Sequence, residues 1–117
     1  MRCLEFRVKK ENGEWRHVGV TVASGNCKAE TFGQFSGMTD KNGGKIYEGD
    51  IIRIKNSFIL GKPLIGKVVW ESGGLVFKYM NPIHGGEGIA GLLLICNSEG
   101  EIIGNIFDNP GLLDVKV

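Results

Sequence analysis

The chain has 117 residues, 42% of them apolar and 23% charged, which sets one domain with a modest core and excludes a multidomain enzyme or a disordered chain. Fourteen Lys and Arg oppose thirteen Asp and Glu, so no global charge advertises nucleic acid or an anionic membrane as partner. Glycine fills 19 positions and proline only three, without a Gly-X-Y period, which is the composition of a turn-rich, mostly β domain.

Leu4, Phe6 and Val8 alternate with Glu5, Arg7 and Lys9, the pattern of a half-buried strand. Asn12-Gly13 then signals a tight type I′ hairpin, with a return strand over Trp15–Val22. From Ala23 to Lys45 the chain is polar and glycine-rich, and irregular structure is expected there, with at most a short strand around Phe32–Phe35. The second half is more regular. Asp50–Lys55, Ile65–Glu71, Leu75–Tyr79, Leu92–Cys96 and Ile102–Phe107 read as strands, with turns at Ser72-Gly73-Gly74 and Asn97–Gly100. Asn81–Gly91, with Pro82 and several glycines, reads as a long, mobile loop. One helical turn is expected after Asn109, with Pro110 at its first position and Leu112 and Leu113 packing back. The architecture predicted is a small SH3-like β-barrel over 46–117, preceded by an N-terminal β-hairpin region over 1–45 and closed by that short helical turn.

Three glycine-bearing stretches imitate ligand loops. Gly61–Lys67 satisfies G-x-x-x-x-G-K, but Val68 stands where a magnesium-binding hydroxyl belongs and the run continues as a strand. Gly86–Gly91 matches G-x-G-x-x-G without a strand before it or a helix after it, so a flexible glycine loop is expected. Asp40-Lys41-Asn42-Gly43-Gly44 opens like a calcium loop, yet Lys45 takes the glycine position and Ile51 the bidentate glutamate position, so a polar turn is expected.

Cys3, Cys27 and Cys96 are odd in number and widely spaced, with no C-x-x-C pair. Buried reduced thiols are expected, with no disulfides, no metal and no other cofactor. The longest nearly apolar run, Ile89–Cys96, has eight residues against the roughly 20 of a bilayer span. Charges at Arg2 and Glu5 interrupt any leader-like segment, so a cytoplasmic protein is expected. No nucleophile lies in a recognised context, and His84 beside Gly85-Gly86 is the single catalytic candidate. Arg53, Lys55 and Lys67, with Trp70, could form a basic face carrying an aromatic ring, the minimum for nucleic-acid contact.

Two further segments carry a family resemblance. Gln34-Phe35-Ser36-Gly37-Met38-Thr39-Asp40-Lys41-Asn42-Gly43-Gly44-Lys45-Ile46-Tyr47-Glu48-Gly49-Asp50-Ile51 resembles the opening signature of the YopX family of phage and prophage proteins. Ile103-Gly104-Asn105-Ile106-Phe107-Asp108-Asn109-Pro110-Gly111-Leu112-Leu113 resembles that family's closing I-G-N-I-Y-E-N-P-x-L-L, with Phe107 for tyrosine, Asp108 for glutamate and Gly111 in the last turn. The resemblance implies a small β-rich protein encoded by bacteriophages or integrated elements and acting in the bacterial host cell, with no catalytic residues to carry over. Tyr47, Gly49 and Asp50 read as a turn into the first barrel strand, and Gly104, Asn105, Asn109 and Pro110 as the last strand and its stop, so these signature residues are expected to be structural. A non-enzymatic module working through protein contacts, self-association among them, is the expected function; an SH3-like nucleic-acid-binding accessory protein is the alternative.

Overall fold

The computed structural model describes residues 6–18, 27–55, 62–71, 73–91 and 100–114. Among these residues nine strands and one short helix succeed one another: β1 (Phe6–Lys10), β2 (Trp15–Val18), β3 (Cys27–Thr39), β4 (Lys45–Tyr47), β5 (Asp50–Ile54), β6 (Leu64–Glu71), β7 (Gly74–Met80), β8 (Glu87–Gly91), β9 (Glu101–Asn105) and a 3-10 helix (Pro110–Asp114). They form two antiparallel sheets, one ordered β2-β1-β3-β4 and one ordered β8-β7-β6-β5-β9, the second curled into a half-barrel. The expected mostly β fold with a C-terminal helical turn is what the structure has.

β1 pairs β2 with Phe6 opposite Val18 and Lys9 opposite Trp15, and Val8 is buried. The hairpin is not the two-residue type I′ turn expected from Asn12-Gly13. Its loop is Glu11-Asn12-Gly13, closed by the Gly13 N–H to the Lys10 carbonyl and the Lys10 N–H to the Glu14 carbonyl, with Gly13 at φ +93°. This is the three-residue solution, in which a turn is followed by one left-handed glycine. The part of the expected return strand beyond Val18 lies outside the described residues.

The largest departure from expectation is β3. The segment expected to be irregular contains a 13-residue strand that pairs with β1 and then with β4. Its register shifts opposite Arg7–Lys9 and again between Phe35 and Thr39, around Gly37 at φ +88°. Bulges of this kind place glycine and polar residues inside a strand and erase the two-residue period. After β3, Asp40 builds the polar turn expected at 40–44. One carboxylate oxygen accepts the N–H groups of Asn42 at 3.0 Å and Gly44 at 2.7 Å, and the other accepts that of Ile102 at 3.0 Å. Burial works to raise the Asp40 pKa, but these three donors, with Lys41 nearby, hold it below the ordinary value.

The half-barrel holds the main core of Ile46, Ile52, Ile54, Leu64, Val68, Phe77 and Ala90. Phe77 is fully buried, and a side chain of that size contributes about 1.5–3 kcal/mol by leaving water. Ile46 comes from β4 of the other sheet, so β4 spans the expected division near residue 45 and joins the two sheets. β6 and β7 pair from Gly66–Tyr79 to Glu71–Gly74; of the turn expected at Ser72-Gly73-Gly74, Gly73 has φ +87° and Ser72 lies outside the described residues.

The expected loop Asn81–Gly91 is a loop only as far as Gly86; from Glu87 it is β8, paired to β7. The glycines misled because one of them makes room for a ring. A Cβ on Gly88 would stand 2.4 Å from the ring of Tyr79, its cross-strand partner. Gly66, in the phosphate-loop imitation, has the same role, since a Cβ there would meet the Phe77 ring at 2.7 Å and the Lys78 carbonyl at 2.5 Å. The turn at 81–86 is tied by Asn81, whose side-chain oxygen accepts the N–H groups of Ile83 at 2.8 Å and His84 at 3.1 Å. The last expected strand ends at Asn105 instead of Phe107, because the Asn105 side chain accepts the N–H groups of Phe107 and Asp108 and turns the chain. The strand expected at Leu92–Cys96 and the turn residues 97–99 lie outside the described residues.

Candidate functional site

The face of the first sheet that meets the half-barrel alternates cations with aromatic rings. Arg7 and His17 are cross-strand partners, Lys9 and Trp15 form the next pair, and Phe35 on β3 stands opposite Tyr47 on β4. Period-two alternation puts all six side chains on one face. The Arg7 guanidinium lies over two rings, 4.7 Å from the Trp15 ring centre and 4.9 Å from that of Tyr47. Its Nη2 donates to the Asp50 carboxylate at 2.5 Å and to the Glu48 carbonyl at 3.4 Å, while the Tyr47 N–H donates to the other Asp50 oxygen at 2.7 Å. Burial pushes the Asp50 pKa up, and the Arg7 charge and the Tyr47 N–H pull against it without cancelling it. Arg7 Nε is buried without a hydrogen-bond partner among the described residues.

A second tie lies one residue pair along. Lys9 forms an ion pair with Asp108, which also accepts the indole N–H of Trp15 at 3.1 Å and the Asn105 side-chain amide at 3.1 Å. The Lys9 hydrogen bond first, then those from Asn105 and Trp15, lower the Asp108 pKa to about 2. The N-terminal hairpin is thereby clamped to the C-terminal turn. Beside Arg7 a cleft of about 360 Å³ opens, lined among the described residues by Arg7, His17, Lys45 and Tyr47. The His17 ring lies 5.4 Å from that of Tyr47, and the Lys45 ammonium lies 5.3 Å from the centre of Phe35. The sequence did not single out this cluster, because Arg7 and Asp50 are 43 residues apart and nothing local announces their meeting.

The signature residues Tyr47, Gly49, Asp50, Gly104, Asn105, Asn109 and Pro110 converge around this clamp. The Gly49 N–H donates to the Val68 carbonyl at 2.7 Å, and the Gly49 carbonyl accepts the Ile106 N–H at 2.8 Å. A Cβ on Gly104 would stand 2.6 Å from the Asn109 side-chain oxygen, and Pro110 opens the 3-10 helix.

The residues expected to form a basic face are only partly brought together. Arg53 and Lys67 share the outer face of the half-barrel sheet, as the pairings Arg53–Ile65 and Ile51–Lys67 require, and exposed Lys55 follows the end of β5. Trp70 has the parity of buried Leu64 and Val68 and so lies on the opposite face, at the rim beside Leu75. Arg53 pairs with Glu101 at 3.4 Å. His84 is exposed in the β7–β8 turn, where no carboxylate or nucleophile among the described residues hydrogen-bonds its ring.

The outer face carries a different feature. Met80 is 58% exposed and Ile89 is 52% exposed on the adjacent strands β7 and β8. Between Met80 and Leu113 of the 3-10 helix runs a small groove of about 110 Å³, lined among the described residues also by Ile65, Lys67, Lys78, Tyr79 and Glu87. Lys78 lies among these residues, 3.4 Å from Glu71 and 3.6 Å from Glu87, and Glu71 first and Glu87 second hold its pKa above the ordinary value. Among the described residues, no three His, Cys, Asp or Glu side chains are grouped to hold a metal ion, and no helix is long and apolar enough to cross a membrane.

A family model described as YopX protein matches residues 3–114, nearly the whole chain. Among solved structures the chain is similar to the crystal structure of protein EF1440 from Enterococcus faecalis, with a TM-score of 0.50 and 20% identity, over 92% of this chain and 74% of that one. At that identity the likeness concerns the fold alone. A search of curated proteins finds no match.

Proposed function

The chain belongs to the YopX family, and from that premise we propose that it is a non-enzymatic protein-interaction module of phage or prophage origin, acting in the host cytoplasm by self-association. We read its second sheet as an SH3-like half-barrel, since a four-strand meander β5–β8 with the last strand returning beside the first is the strand order of that architecture. The observation that carries the functional reading is the exposed pair Met80 and Ile89 at the end of the half-barrel sheet. β8 has β7 on one side and no partner strand on the other among the described residues, so its outer backbone groups offer a template for a second strand.

A second copy of this chain suits that edge. The face mixes signs, with Lys67 and Lys78 beside Glu71 and Glu87, so a two-fold copy meets opposite charges. A net charge of +1 adds little long-range self-repulsion. Antiparallel pairing of two β8 strands would bury Ile89 against its own copy, with Met80 beside it.

Light scattering across a concentration series tests this. The expected result is a mass rising from 12.7 kDa toward twice that value, with Ile89→Lys and Met80→Lys each holding the protein at the lower mass. A wild-type protein that stays at the lower mass at every concentration would overturn the reading, as would variants that associate like it.

A further inference from the structure

An asparagine followed by glycine is open to attack by the backbone on its side chain, because glycine leaves the next nitrogen unhindered. The chain holds two such pairs, Asn12-Gly13 and Asn42-Gly43. Both are exposed, and both glycines are left-handed, at φ +93° and +84°. In each the glycine N–H donates within its turn, Gly13 to the Lys10 carbonyl at 2.9 Å and Gly43 to the Asp40 carbonyl at 3.0 Å. The groups around each carboxamide are what separate the two.

We propose that Asn12 is a site of spontaneous covalent modification, where the Gly13 nitrogen closes a succinimide ring on the side chain, and that the fold protects Asn42 from the same reaction. The Gly13 nitrogen gives up its proton and bonds to Cγ of Asn12, while Oδ1 takes the electron pair as an oxyanion. The bond from Cγ to Nδ2 then breaks, and ammonia leaves with the proton. Water opens the ring to aspartate or isoaspartate, with one negative charge added.

At Asn12 a donor already stands where the oxyanion forms. The Glu14 N–H donates to Asn12 Oδ1 at 3.0 Å, which bends the carboxamide along the chain past Gly13 and polarises the bond under attack. Glu11–Glu14 is exposed throughout, so the Gly13 nitrogen is freed at the tip of a solvated loop. The carboxylates of Glu11 and Glu14 stand in that solvent, where their field is screened, and Glu14 lies 3.5 Å from the Lys10 ammonium.

Asn42 stands in the opposite field. One oxygen of the Asp40 carboxylate accepts its N–H at 3.0 Å and that of Gly44 at 2.7 Å, and Asp40 is only 7% exposed. A carboxylate so placed repels both a deprotonated Gly43 nitrogen and an oxyanion on Asn42. Lys41, the cation beside it, is engaged with Glu101 at 3.3 Å. The turn is also pinned from outside, by the Lys41 N–H to the Gly100 carbonyl and the Ile102 N–H to the other Asp40 oxygen, so freeing Gly43 loosens its contact with β9.

Incubation of the full chain at neutral pH in heavy-oxygen water, followed by peptide mass spectrometry, tests the proposal, because ring opening marks each converted site with the label. Labelled aspartate and isoaspartate should accumulate at Asn12 about tenfold faster than at Asn42, less than the roughly hundredfold that one oxyanion donor is worth in a site closed to water. In urea that unfolds the chain the two rates should draw together, since the shared Asn-Gly sequence then acts alone. Equal rates in the folded protein, faster conversion at Asn42, or a tenfold preference that persists in urea would overturn the proposal.

Discussion

Replacing Asp50 by alanine removes the buried carboxylate that joins the two sheets. The Arg7 side chain, 12% exposed, then keeps its charge without a counterion, and the Tyr47 N–H loses its 2.7 Å acceptor. An unsatisfied buried donor costs about 1–3 kcal/mol, and breaking a buried ion pair from one side costs about 3–5 kcal/mol in all. Arg7→Met should cost less, because Asp50, whose pKa is already raised, can take up a proton once its partner is gone. Both Arg7→Met and the double variant lose the contacts with the Trp15 and Tyr47 rings, so that loss cancels in a double-mutant cycle. The cycle should leave a coupling of about 1–3 kcal/mol. Urea unfolding at pH 7 measures it, with the denaturant slope unchanged across the four proteins. A coupling below about 0.5 kcal/mol, or an Asp50→Ala variant as stable as the parent, would refute the claim that this pair fastens the hairpin sheet to the half-barrel.

Asp108 predicts a pH dependence. Its folded pKa of about 2 lies below its ordinary value of 3.8, so its stabilising contribution is complete above about 3.8 and is lost as pH falls toward 2. Asp40, also lowered, adds in the same sense, while Asp50, raised, works oppositely, stabilising the fold as acidification carries pH down through its folded value. Asp108→Asn should therefore flatten the acid limb of the urea midpoint against pH, and an unchanged limb contradicts the Lys9–Asp108 clamp. Gly66→Ala and Gly88→Ala should each destabilise by about 1–3 kcal/mol, because the new methyl meets the Lys78 carbonyl and Phe77 in one case and Tyr79 in the other, whereas Gly74→Ala, with open space around it, should not show that overpacking cost. Equal thermal midpoints for all three would contradict the ring-over-glycine packing.

The half-barrel was legible where strands keep a regular period and turns keep their chemistry. Buried Leu64, Gly66 and Val68 alternate with half-buried neighbours along β6, and Pro110 begins the final turn as its missing N–H and fixed φ dictate. β3 was not legible, because a strand that changes partners and bulges near Gly37 has no single alternating face. β8 was hidden by Gly88, whose missing side chain reads as flexibility in sequence and as space for Tyr79 in the fold. The basic face was misdrawn at Trp70 for a simpler reason: Lys67 and Trp70 are three residues apart, an odd step that puts them on opposite faces of a strand. The cluster that does combine cations with rings assembles Arg7, Trp15, Tyr47 and Asp50 from four strands, so no local pattern contains it.

Hydrogen exchange of the β8 amides at rising protein concentration tests the proposed self-association most directly. The backbone N–H groups within Glu87–Gly91 that do not bond to β7 should exchange more slowly as copies pair along that edge, and Ile89→Lys should abolish the slowing. Exchange at β8 that is independent of concentration would contradict the account.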